Sequence, residues 1–179
     1  MTADATQVTN LAPEIPPWHL GADVPVPLRL YSARVPATWI DYHGHMSETY
    51  YLLAMSEAID PFFTYIGCDA AYRAAGASLY SVSWRLDFHA EVHEGDRLEV
   101  DTVLLNRDRK RLHVLHLLRR AEGTGPAATG EQVLVHVDIA AGRATDMPDN
   151  LATAASAVSA AHSGLSCPAT VGQGLTLTR

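Results

Sequence analysis

Residues Trp39–Gly67 read WIDYHGHMSETYYLLAMSEAIDPFFTYIG, a tight polar loop running straight into a segment too apolar to lie on a surface. From Tyr50 to Ile66 the polar residues are few. Ser56, Asp60 and Thr64 fall on one i, i+4 stripe with Glu57 beside it, and nearly everything else is aromatic, aliphatic or Ala. A helix of that composition must be wrapped by other elements. Gly44 permits an unusual backbone angle, Ser47 is a good N-cap, and Glu48 puts negative charge where the helix dipole favours it, so the helix starts at Ser47 or Glu48. Pro61 lacks an N–H and its ring meets the carbonyl of Glu57, which predicts a kink or a break before the helix resumes to Ile66. Gly67 is its expected stop.

Outward from this helix, residues 1–27 are proline-rich with little periodicity and read as a flexible arm that Trp18 could dock. Leu28–Val35 alternates loosely up to Pro36, which suits a short strand at a sheet edge. After the helix, Asp69–Gly76 reads as a short helical turn. In Leu79–His89, Tyr80, Val82, Trp84, Leu86 and Phe88 alternate with polar residues, the pattern of a half-buried strand with one apolar face. His93-Glu94-Gly95-Asp96 is a turn, Arg97–Asn106 and Lys110–Glu122 form a hairpin across 107–109, and Gly130–Ala140 is a last strand with Val133, Val135, Val137 and Ile139 on one face. The order is strand, helix, then four strands in antiparallel succession, an α+β architecture with one antiparallel sheet round one buried helix. Residues 148–179 turn to Ala and Ser, with a weak helix at 150–161 and an unstructured end.

The chain has 179 residues, 47% of them hydrophobic, enough for one domain (28–147) with loose ends. Its net charge of −7 argues against nucleic acid as a partner, though one phosphorylated ligand is compatible with it. No apolar run reaches membrane-spanning length and MTADATQVTN is not a signal peptide, so the expected location is cytoplasmic, with no membrane partner. Cys68 and Cys167 fit neither a metal-ligand spacing nor a disulfide framework.

Asp41-Tyr42-His43-Gly44-His45-Met46 running into the helix, Glu57-Ala58 within it, and Val92-His93-Glu94-Gly95-Asp96 before a strand resemble the hot-dog fold acyl-CoA thioesterases of the 4-hydroxybenzoyl-CoA thioesterase type. The likeness covers about Leu28 to Arg143. A finer one, to the betainyl-CoA thioesterases associated with carnitine breakdown, is carried by Trp39-Ile40-Asp41-Tyr42, Ser78-Leu79-Tyr80, Lys110-Arg111-Leu112-His113 and Leu134-Val135-His136-Val137-Asp138. Many relatives have Asn after Gly-His-Met where this chain has Ser47. The resemblance implies a hot-dog fold, hydrolysis of a short acyl-CoA, with betainyl-CoA giving glycine betaine and coenzyme A as the expected case, and no cofactor beyond the coenzyme A of the substrate. It also implies homodimers or homotetramers whose sites take residues from two chains.

Thioester hydrolysis needs a carboxylate to attack or to activate water, and donors for the developing oxyanion. The resemblance places the catalytic carboxylate on Asp41, which could otherwise merely organise the turn. Glu57 is the rival or supporting carboxylate, or else a buried group at a subunit interface. The N–H groups from Gly44 through His45 and Met46 to Ser47 are the candidate oxyanion donors. His45 could donate to the carbonyl, orient Asp41, or be a satisfied polar residue. His43 and His45 with Asp41 offer metal-ligand types, but a glycine-closed loop does not set two imidazoles side by side, so no metal is expected. Trp39, Tyr42, Tyr50, Tyr51, Tyr80 and Trp84 are candidates for a cage round a quaternary ammonium, each favourable contact being worth about 0.5–2 kcal/mol, or are core. Lys110 and Arg111, in the basic hairpin, are candidates for the coenzyme A phosphates. Two other classes share this reading: a hot-dog hydratase, and a non-catalytic acyl-CoA-binding module.

Overall fold

A computed structural model describes residues 8–174. The stretch from Trp39 folds as expected into a broken helix, α1 (Glu48–Glu57) and α2 (Ile59–Ile66), which meet at Ala58. The break falls three residues before Pro61, so that proline lies in the first turn of α2, where its missing N–H costs nothing. Ser47 holds the N-cap position, but its side chain makes no capping bond. Gly67 ends α2 in the left-handed region at φ 96°. The polar stripe of Ser56, Glu57, Asp60 and Thr64 is exposed, while Ala54, Met55, Ala58 and Phe62 are sealed against the sheet.

The antiparallel sheet runs in the order β1 (Leu28–Arg34), β3 (Arg97–Arg107), β4 (Arg111–Arg120), β5 (Pro126–Asp138), β2 (Ala77–Phe88), with the short β6 (Arg143–Ala144) beside β5. This corrects the expected strand succession. The strand that follows the short helix α3 (Ala70–Ala74) pairs with β5 at one edge, and the chain then crosses to pair β3 with β1 at the other. The whole is the α+β hot-dog arrangement of a sheet wrapped round a helix.

Two faces differ from their sequence reading. On β5 the inner face carries Gly130, Gln132, Leu134 and His136, all buried, and the Val133, Val135, Val137, Ile139 face is the outer one. Polar residues can line the inside because they bond to one another. His116 joins Thr102 Oγ1 (3.2 Å) to Gln132 Oε1 (3.2 Å), Gln132 donates to Ser81 Oγ, and His136 meets the Tyr72 hydroxyl at 2.7 Å. On β2, a bulge between Ser81 and Ser83 leaves Val82 unpaired, and Tyr80, Val82 and Phe88 are about half exposed rather than half of a buried face.

Both ends are more ordered than composition suggests. In the described part of the expected flexible arm, Asn10 and Leu11 hydrogen-bond Leu30 and Ser32 along the free edge of β1, and the Trp18 N–H donates to Tyr65 O. Residues 1–7 lie outside the described residues. What reads as a weak tail helix is α4 (Asp149–His162), whose Leu151, Ala154, Ala155 and Val158 belong to the same core cluster as Phe62 and Leu104. His162 staples it down, accepting from the Leu104 N–H at Nδ1 and donating from Nε2 to Pro25 O. No helix among the described residues is long and apolar enough to cross a membrane.

Candidate active site

The loop before α1 is shaped by its own hydrogen bonds. A 3-10 turn over Ala37–Trp39 leads into a bridge between Ile40 and Met46, and the Gly44 N–H closes a turn onto Asp41 O at 3.0 Å with Gly44 at φ 83°. Asp41 Oδ1 accepts the His43 N–H at 2.8 Å. The partly exposed Asp41 therefore does organise the turn, with one oxygen only. Oδ2 takes no hydrogen bond from any described residue and is open for chemistry. The loop is tied to the turn before β3, because the Met46 N–H donates to Val92 O (2.7 Å) and the His93 ring donates from Nδ1 to Gly44 O (3.2 Å).

The expected oxyanion donors are for the most part spoken for. Gly44 N–H goes to Asp41 O, Met46 N–H to Val92 O and Ser47 N–H to Trp39 O. The N–H groups of His45, Glu48 and Thr49 have no partner among the described residues, and the last two open the helix, where its dipole also favours an anion. The His45 ring lies parallel to His43 at 5.7 Å and makes no bond to the Asp41 side chain. Stacked rings do not converge on one ion, and no group of three or more metal-ligand side chains occurs among the described residues.

Glu57 is not part of this cluster within one chain. It is exposed at the far end of α1, roughly 15 Å along the helix axis from the loop at 1.5 Å per residue. Its charge is felt by Tyr31, whose hydroxyl is pushed up to about 12, first by burial and then by Glu57.

The aromatic candidates divide into two groups. Tyr42 is 93% exposed at the tip of the turn, and Tyr50 is partly exposed, stacked on Trp39 at 5.1 Å. Both have ring surface to offer beside Asp41. Trp39 and Tyr51 are buried, the first backing Tyr50 and the second bonded to Ala90 O with Phe88 against its edge. Trp84 lies over His116 on the inner face, close to Gly130. Tyr80 stands opposite Val135, which in turn faces Arg111, towards the other end of the sheet.

Lys110 and Arg111 lie at that other end too. From the start of β3 to the hairpin is roughly 30 Å of strand, and each cation already has a carboxylate: Lys110 lies 3.7 Å from Asp146, and Arg111 2.6 Å from Asp108. Arg111 and nearby backbone N–H groups hold the Asp108 carboxyl down at about 2. Three arginines that sequence reading passed over, Arg34, Arg97 and Arg120, lie instead at the Asp41 end, round a cavity beside Gly95. They are far apart in sequence, and no local motif marks them.

A family model described as the thioesterase-like superfamily matches residues 35–155. An L-carnitine dehydrogenase/betainyl-CoA thioesterase of Agrobacterium fabrum is 44% identical over 138 residues, 77% of this chain and 28% of that protein. A betainyl-CoA thioesterase of Pseudomonas aeruginosa is 40% identical over 148 residues, 82% of this chain and 92% of that one. The chain thus spans less than a third of the two-function relatives and most of the single-function one. Among solved structures, a Pseudomonas putida protein assigned as a thioesterase superposes with a TM-score of 0.75 at 31% identity, covering 88% of this chain and all of that one. A Staphylococcus aureus protein solved in complex with CoA gives 0.78 at 19% identity, again over 88% of this chain and all of that one, a likeness of fold.

Proposed function

We propose that this chain, which belongs to the thioesterase-like superfamily, is a thioester hydrolase whose substrate is betainyl-CoA, cleaved to glycine betaine and coenzyme A. The observation that carries the chemistry is Asp41, with one oxygen pinned by its own turn and the other free, in the loop that leads into a helix start with open N–H groups. Oδ2 either attacks the thioester carbonyl or takes a proton from the attacking water. In both cases negative charge grows on the carbonyl oxygen, where the N–H groups of His45, Glu48 and Thr49 are the donors at hand. The substrate reading is supported by the relatives and by the exposed faces of Tyr42 and Tyr50, which suit a trimethylammonium group. The reaction so written needs no cofactor beyond the coenzyme A of the substrate, and it belongs in the cytoplasm, where CoA thioesters are formed.

The working unit in this reading contains a second copy of the chain. Of the two sheet edges, β1 is covered by Asn10 and Leu11, whereas the outer edge of β2 pairs with no described residue and exposes Tyr80, Val82 and Phe88. Two copies meeting antiparallel along β2 would set the Tyr80 end of one beside the Phe88 and Asp41 end of the other. That completes an aromatic wall that one chain leaves open.

The test is release of free thiol from betainyl-CoA beside its uncharged isostere, 3,3-dimethylbutyryl-CoA. Preference for the charged ester is the expected result. Equal turnover would remove the aromatic cage and keep the hydrolase, and no thiol from either would turn the reading towards hydration or binding without catalysis.

A further inference from the structure

A CoA thioester brings several phosphate charges to the protein, and the hairpin cations expected to meet them each stand near a carboxylate, Arg111 near Asp108 and Lys110 near an Asp146 that it shares with Arg109. Another set of cations is free of such partners. Arg34 ends β1, Arg97 opens β3 and Arg120 ends β4, three neighbouring strands, and the register sets Arg34 opposite Arg97 and Arg120 opposite Leu98. Around them is a cavity of about 510 Å³. Arg34 Nη1 donates to Gly95 O at 2.7 Å and Arg97 Nε to Ser32 Oγ at 3.1 Å, both neutral acceptors. The Arg120 guanidinium makes no hydrogen bond or ion pair with any described residue, and none of the three lies within salt-bridge distance of a described carboxylate. Two acids also line the cavity. Asp96 accepts the His93 N–H at one oxygen (2.9 Å), and Glu122 is exposed, so the three arginines outnumber the two acids.

We propose that Arg34, Arg97 and Arg120 bind the phosphate groups of the substrate's coenzyme A. The proposal rests on the thioesterase reading above and locates the nucleotide end of that substrate. The link to the chemistry is the turn over residues 93–96. One side of it walls the cavity, with Gly95 N–H on Val35 O and Val35 N–H on Asp96 O. Its other side holds the Asp41 loop through Val92 O and the His93 ring. A thioester at Asp41 and phosphates at the arginines therefore sit on opposite sides of one hydrogen-bonded turn. Guanidinium forks suit phosphate oxygens, and uncompensated ones give up no existing ion pair to bind them.

The experiment compares betainyl-CoA with betainyl-pantetheine, the same thioester without phosphates, on wild type, Arg120→Ala, Arg120→Lys and the double variant Lys110→Ala/Arg111→Ala. Arg120→Ala is expected to raise KM for the CoA ester by about ten-fold with kcat retained, as loss of a charge-assisted hydrogen bond would. Arg120→Lys should recover part of that loss, and kcat/KM on the pantetheine ester should stay put. An equal rise on both esters, no rise on either, or a rise confined to the double variant would overturn the assignment while leaving the hydrolase standing. Wild type releasing thiol from neither ester would instead overturn the thioesterase reading itself.

Discussion

Asp41 was legible because its turn is local: an Asp two residues before an N–H it can reach, and a glycine three residues on, encode the geometry with no help from the rest of the chain. The Asp41→Asn variant keeps an acceptor for the His43 N–H, so it is expected to fold with an unchanged melting temperature. It should lose at least about 100-fold in thiol release. Retained turnover would move the chemistry to Glu57. Gly130 was not legible as special. A Cβ there would meet the Met55 sulfur, Trp84 and Leu86, a closeness that exists only once α1 lies across β5 and β2. Gly130→Ala should cost about 1–3 kcal/mol in urea denaturation, and a neutral result would mean that α1 sits further from the sheet. The candidate oxyanion donors were half legible. The helix start was readable, but which N–H groups stay free depends on Val92 and Trp39, and Val92 arrives from a distant part of the chain.

At the scale of elements, the broken helix could be read because proline and glycine act on their own neighbours. The faces of β2 and β5 could not. Alternation shows that two faces differ, but a bulge at Val82 and a hydrogen-bonded polar inner face decide which one is buried. Helix α4 escaped for another reason. Its Ala and Ser give a weak hydrophobic pattern, yet small side chains are what allow it to approach β3 and α2 closely. Leu151 is fully buried in that contact, so Leu151→Ala is expected to destabilise the protein by about 2–5 kcal/mol, measured by chemical denaturation. A change under about 0.5 kcal/mol would return α4 to the status of a loose tail.

The whole molecule adds properties that no single element has. His116, fully buried among Thr102, Gln132 and Trp84, is pushed down to about 4 by loss of hydration, against a partial rise from Gln132. The unfolded chain binds this proton below about pH 6.5 while the folded one refuses it until about pH 4. Stability is thus fully present above pH 6.5 and falls as pH drops through that window, by about 3 kcal/mol in all. Burial lowers His162 in the same direction. Urea midpoints at pH 7.5 and 4.5 should fall further for wild type than for His116→Gln, and parallel falls would show that His116 does not carry the effect. A lysine on the open edge, Val82→Lys, is expected to leave a folded monomer by light scattering, with thiol release lost, whereas an unchanged assembly would place the interface elsewhere. From the sequence alone came the α+β class, the buried helix with its stops, the Asp41 turn and the likeness that named a thioesterase, because each rests on contacts between near neighbours or on motifs read whole. Only the tertiary structure decided strand order, inner and outer faces, the docking of both ends and the gathering of Arg34, Arg97 and Arg120. Those follow from the register between strands distant in sequence, which burial over the entire core selects and no local pattern carries.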